Sequence, residues 1–278
     1  MEPRTPNPPT SQASNQRGIA LADRGWLEEA LREFDRAIEL DGSASVPRIN
    51  RASVYMELER WVEALADLLA AVELAPEDPE AHFHLGLLLT RHGAALGQRE
   101  LEQSLEHDPE HLDALLQLGA SQAEQGQWSE AERTLDAALD IDPADPLARR
   151  ERGLLALDVG QVHEAIEHLK LAQQADPDDV ELAVDLALAH VQAGFLECGA
   201  DMLSAALERQ PDQLHALYNL AAVRAERGDA DAALELLDRA LALDRQLVLD
   251  WLAQDPMFDA LRADGRLRQR LDPEPAAD

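Results

Sequence analysis

Five prolines set the frame for this chain. Pro76, Pro109, Pro143, Pro177 and Pro211 stand 33, 34, 34 and 34 residues apart. Small residues recur in phase with them: Ala30, Ala64, Gly97, Ala131, Ala165, Gly199 and Ala233, then seven residues on Ala37, Ala71, Ser104, Ala138, Ala172, Ala206 and Ala240. Between those rows runs a row of large apolar residues: Phe34, Leu68, Leu101, Leu135, Leu169, Leu203 and Leu237. A fourth row precedes them: Gly18, Ala52, Gly86, Gly119, Gly153, Ala187 and Ala221. A single irregular core imposes no such period. Rows held in register over seven copies require one module repeated along the chain, each copy burying its apolar face on the next.

Each module reads as two helices. In the fourth copy Leu112, Leu115, Leu118 and Gly119 share one helical face, and after Gln125-Gly126-Gln127 a second face carries Trp128, Ala131, Leu135, Ala138 and Leu139. Gly126 suits the end of the first helix, and Asp142-Pro143 stops the second while opening the next module. The small residues let helix backbones approach where they cross, and the Leu or Phe of the neighbour fills the remaining hole.

The 34-residue period, with small residues at positions 8, 20 and 27 and proline at 32, resembles the tetratricopeptide repeat. Copies fall at 11–44, 45–78, 79–111, 112–145, 146–179, 180–213 and 214–247. The resemblance implies an all-α fold, a right-handed α-solenoid of stacked antiparallel helix pairs. The chain departs from the family pattern at position 7, usually Leu, which is Arg17, Arg51 and Arg152 in copies one, two and five. Position 11, usually aromatic, holds Tyr55 once but Gln122, His190 and Arg224 elsewhere, and the third copy lacks one residue near 92–97. Residues 248–271 carry an apolar helical pattern broken at Asp255-Pro256 and resemble the closing segment of some bacterial arrays of this family. Such a segment covers the last exposed apolar face of an open stack. Residues 1–10, with four prolines, and the acidic 272–278 read as disordered tails.

Charge excludes several functions. With 24 Lys and Arg against 55 Asp and Glu, a net charge of −31 argues against nucleic acid and anionic lipid as partners. It favours a basic or neutral protein or peptide, met through an encounter that salt weakens. No apolar run reaches the ~20 residues needed to span a bilayer, and a cytoplasmic location is the default expectation. The one cysteine, Cys198, cannot form an intrachain disulfide and reads as a small buried residue on the second helix of copy six.

Chemistry is sparse. His82-x-His84 and His107-x3-His111 have conceivable ligand spacing, but nothing completes either set, so no metal and no cofactor is expected. The Asp-Pro segments lack the Gly and closing Glu of a calcium loop. No nucleophile elbow or glycine-rich phosphate loop occurs, and the chain reads as a non-enzyme. Trp26, Trp61 and Trp128 open second helices and are expected to pack between modules.

Function is therefore sought in the concave groove that the first helices of such repeats line. By the resemblance, its walls include Asn15, Asn50, Phe83, His84, Arg91, Gln117, Arg150, Asp185, His215, Tyr218 and Asn219. Amide side chains suit an extended peptide with unpaired N–H and C=O groups. Family members that hold the C-terminal carboxylate of heat-shock chaperones use a Lys, Asn and Arg clamp. Asn50 matches one clamp position, but Ile19, Asn15, Glu80 and His84 fill the others, so that role is not carried over. The expected function is a scaffold or adaptor for a peptide or protein. The alternative is a homo-oligomer formed through the ends, in which the run Arg262, Arg266, Arg268 and Arg270 docks on the acidic face of another copy.

Overall fold

The computed structural model describes residues 10–91, 93–263 and 265–271. Most of both expected tails lies outside the described residues; Thr10 lies inside, and its hydroxyl accepts from Ala13 N at 3.2 Å to cap the first helix. The chain divides into two compact units, one ending at Ile141 and one starting at Asp142. The described residues of both units are helices and turns, with no strand among them.

The first unit holds four helix pairs: α1 (Ser11–Ala22) with α2 (Leu27–Leu40), α3 (Val46–Glu57) with α4 (Trp61–Leu74), α5 (Pro79–Thr90) with α6 (Ala94–His107), and α7 (Leu112–Glu124) with α8 (Trp128–Ile141). The second holds three: α9 (Pro146–Asp158) with α10 (Val162–Ala175), α11 (Val180–Gln192) with α12 (Leu196–Arg209), and α13 (Leu214–Glu226) with α14 (Ala230–Leu243). Within each unit every second helix also packs on the first helix of the following pair, and first helices touch one another along the row. This is an all-α solenoid architecture of sequential pairs.

Local chemistry fixes the ends of these helices. Asp145 Oδ1 accepts from Ala148 N at 2.7 Å, and Asp179 Oδ1 accepts from Glu181 N at 2.7 Å and Leu182 N at 3.2 Å. Pro47, Pro79 and Pro146 occupy first turns, where a missing N–H costs nothing. At the turn inside the fourth pair Gly126 adopts φ 71°, which lets Gly126 N reach Ala123 O at 2.9 Å and Gln127 N reach Gln122 O at 2.9 Å. Glu59 holds the same register in the second pair at φ 57°, in a conformation that side chains disfavour.

The rows of large and small residues explain the pairing. A methyl group placed on Gly119 would sit 2.6 Å from Leu135 Cδ2, and one on Gly153 would sit 2.8 Å from Leu169 Cγ. Phe34 covers Gly18 in the same way. Leu68, Leu101, Leu135, Leu169, Leu203 and Leu237 are all fully buried, each contributing roughly 1.5–3 kcal/mol of transfer free energy. The third pair comes closer still: a methyl group on Gly97 would meet the Thr90 hydroxyl first and the Thr90 backbone N at 2.6 Å, so side chain and backbone of α5 both press on α6 there. That approach accompanies the shorter third copy.

The arginines at position 7 pair with carboxylates of the following helix, Arg17 at the surface and Arg51 and Arg152 within the crossing. Arg51 Nε and Nη2 each donate to Asp67 at 2.6 Å, and Nη1 reaches Asp35 on α2. Asp67 is only 5% exposed. Arg152, also buried, pairs with Glu164 at 2.7 Å, and Arg17 pairs with Glu33 at 2.8 Å. At the Arg51 crossing a forked, hydrogen-bonded pair substitutes for apolar contact.

Beyond α14 the chain forms α15 (Arg245–Leu252), a 3-10 turn at Pro256–Phe258, α16 (Asp259–Ala263) and α17 (Gly265–Leu271). Val248, Leu252, Phe258, Leu261 and Leu267 bury themselves against Leu217, Leu234 and Leu237 of the last pair. Asp255 Oδ1 accepts from Met257 N at 2.9 Å and so nucleates the turn where the sequence pattern breaks.

Candidate functional site

In the first unit the proposed groove residues form separate groups on the first-helix row. Asn50 Nδ2 on α3 donates to Asn15 Oδ1 on α1 at 2.9 Å, linking neighbouring pairs through their amides. On α5 the Phe83 ring lies 5.2 Å from His84 and 4.8 Å from His111 at the start of α7. Burial holds the His84 imidazole below its ordinary range, with Glu80, 3.8 Å away, pulling in the opposite direction. Gln117 is exposed on α7. Arg91 stands apart at the end of α5, where its guanidinium covers Trp61 at 5.0 Å.

In the second unit the five proposed residues converge. Arg150 Nε on α9 donates to Asp185 Oδ2 on α11 at 2.7 Å, and its Nη2 lies 3.2 Å from Glu181. Burial raises the Asp185 carboxyl above its usual range, and Arg150 opposes that shift. Arg150, Asp185 and His215 line a small cavity of about 150 Å³. His215, Tyr218 and Asn219 on α13 line a second, larger one of about 600 Å³. Its remaining wall comes from the closing segment through Asp250, Trp251, Gln254 and Asp255.

The larger cavity is built on rings and carboxylates. Trp251 lies 5.1 Å from His215 and 5.0 Å edge-on from Tyr218. The buried Tyr218 hydroxyl donates to Asp255 Oδ2 at 3.1 Å. Burial and the adjacent Asp255 push that hydroxyl well above the ordinary phenol range, so it stays a donor. Asn219 turns its amide to His215 O at 2.7 Å. The contribution of the closing segment is absent from the sequence reading, which gave residues 248–271 a covering role alone. Trp251, followed four residues on by Asp255 in the closing segment, is the signal that could have found it.

Several side chains sit elsewhere than their sequence context suggested. Cys198 is exposed rather than buried, because the tight face of α12 is taken by Gly199 and Ala200. Trp26 and Trp128 are 55% and 41% exposed, so packing between modules accounts for only part of either ring. His82 is buried, with ring nitrogens 2.8 Å from Glu100 Oε2 and 2.9 Å from Pro76 O. His111 caps α7, accepting from Ala114 N at 3.4 Å. Among the described residues no group of three or more His, Cys, Asp or Glu side chains could hold a metal ion, and no helix is long and apolar enough to cross a membrane.

Comparison with known proteins agrees with this architecture. Tetratricopeptide repeat family models match residues 88–153 and 184–247, and a TPR repeat model matches 52–93. The inactive TPR repeat-containing thioredoxin TTL3 of Arabidopsis thaliana is 37% identical over 82 residues, which span 30% of this chain and only 12% of that protein. Among solved structures, YrrB, described as a TPR protein with an unusual peptide-binding site, superimposes with a TM-score of 0.53 at 24% identity, covering 67% of this chain and 96% of that one. A tetratricopeptide repeat protein from Parabacteroides merdae gives a TM-score of 0.70 at 15% identity over 87% of this chain and 97% of that one. Repeat period, helix pairing and these matches agree: the chain belongs to the tetratricopeptide repeat proteins.

Proposed function

We propose that this protein is a non-catalytic adaptor that holds an extended peptide or protein segment on the first helices of its pairs. The observation that carries the reading is the convergence of Arg150, Asp185, His215, Tyr218 and Asn219 on adjoining cavities that share His215. Proteins of this repeat family bind protein or peptide partners, and peptide binding is what the description of YrrB states of that protein. The amides of Asn50, Gln117 and Asn219 offer donors and acceptors to a peptide backbone, and the acidic balance selects a basic or neutral partner.

The test is capture of partners from the native cell by the full chain and by the double variant Asn50→Ala, Asn219→Ala. Retained helicity with loss of the wild-type partner set is the expected outcome. An unchanged partner set in a folded double variant overturns the reading.

Self-association through the ends has weaker support. Arg266 pairs with Asp231, Arg270 Nε reaches Asp238 at 2.9 Å, and Arg262 binds the carbonyls of Leu252 and Asp255. These members of the basic run are engaged inside their own unit. A monomer in sedimentation at all concentrations and salts would eliminate self-association.

A further inference from the structure

We propose that the cavity between α13 and α15 is a receptor for a cationic side chain, an arginine or lysine of a basic peptide. The inference rests on the adaptor reading and names the chemistry that one end of the binding surface selects. The cavity of about 600 Å³ is large enough to admit a guanidinium or ammonium head with its aliphatic stem. Trp251 and Tyr218 supply aromatic surface, which attracts cations through the ring quadrupole. Asp250 and Asp255 supply negative charge at the same wall.

The charges already present leave that requirement open. The Asp255 carboxylate accepts from two neutral donors, Tyr218 Oη and Met257 N, and Asp250 accepts from the Gln246 amide at 3.0 Å, while Arg262, which binds the Asp255 backbone carbonyl, is paired through Nη1 with Asp259. Neutral donors orient a carboxylate without cancelling its charge. The arginine of the adjoining cavity, Arg150, is held by Asp185 and Glu181. Its charge is thus matched before any peptide arrives. A net charge of −31 over the chain adds long-range attraction for a basic segment, while the rings and the two aspartates fix where its cation comes to rest.

The closing segment thereby has two consequences. Its apolar side buries Phe258 and Leu252 on the last helix pair, and its other side presents Asp250 and Trp251 to an occupant. Asp250 is exposed and contributes no buried contact, so its replacement leaves the segment docked.

The test uses the full chain and two nonapeptides that differ only at a central position, one with arginine and one with citrulline, its neutral isostere. Binding is read by calorimetry and by the indole N–H resonances of the four tryptophans, with Trp251 assigned from Trp251→Phe. Expected are a shift of the Trp251 resonance by the arginine peptide and weaker binding of citrulline by about fivefold or more. Asp250→Asn should weaken the arginine peptide to a similar degree, whereas Glu39→Gln, an equal loss of charge in the first unit, should not. Equal affinity for arginine and citrulline, or equal effects of Asp250→Asn and Glu39→Gln, overturns the inference.

The adaptor reading fails on a different result. It falls if the Asn50→Ala, Asn219→Ala variant keeps its native partners. If those partners are lost from that variant yet remain on Asp250→Asn, only the cation receptor is wrong.

Discussion

Arg51 shows how one residue departs from the repeat without breaking it. Its guanidinium grips Asp67 through two bonds of 2.6 Å in a crossing that the repeat pattern fills with Leu. Removing one partner leaves a buried charge, so Asp67→Ala should cost about 3–5 kcal/mol. The double variant Arg51→Leu, Asp67→Leu should be nearly neutral. Chemical denaturation in a double-mutant cycle measures both, and additive losses would show that the pair is not coupled. His84 gives a pH signature at the same scale. Its folded pKa lies below the ordinary 6.5, so the unfolded chain binds the extra proton. The associated stability is present above 6.5 and is lost as pH falls through the lowered value. Stability measured from pH 7 to 5 should therefore fall less in His84→Gln than in the parent; equal slopes would contradict the assignment.

At the scale of elements, the fit of large into small decides which helices pair. Gly119 lies under Leu135, so Gly119→Leu should overpack the α7–α8 crossing and cost roughly 1–3 kcal/mol or more, with partial recovery in Gly119→Leu, Leu135→Ala. Thermal melts of the two variants test it, and a parent-like melting temperature for the single variant would contradict it. Turns matter as well. At Glu59 the left-handed conformation costs roughly 1–2 kcal/mol, and glycine returns about 0.4–1 of that to the unfolded chain, so Glu59→Gly should stabilise by about 1 kcal/mol. A lower melting temperature for that variant would show that the turn is not strained.

These elements were legible in the sequence because packing forces residue type at fixed spacing. Phe34 must face Gly18, and Leu135 must face Gly119, whatever the rest of the module contains. The Arg51–Asp67 pair carries a signal too, an arginine in place of Leu with an acid 16 residues later. The cavity was not legible. His215 and Trp251 meet only because α15 folds back on α13 and α14, a tertiary event that no local pattern encodes. Cys198 illustrates the same limit: its helix was evident, but the face it occupies was not.

For the molecule as a whole, the adaptor proposal assigns encounter to charge and grip to the first helices of the pairs. At −31 the chain should attract a basic partner over long range, so the association rate should fall about tenfold or more between low and physiological salt while dissociation changes little. Stopped-flow mixing at a series of salt concentrations reads this, and a salt-independent association rate would remove electrostatic steering. The claim on which the account turns is that the first helices, not the second, hold the partner. Photo-crosslinking in the native cell tests it directly, with benzoylphenylalanine in place of exposed Gln117 on α7 or of Val62 on α4, which is 79% exposed. A discrete crosslinked partner is expected from position 117 and none from position 62. A partner captured at 62 and absent at 117 would contradict it.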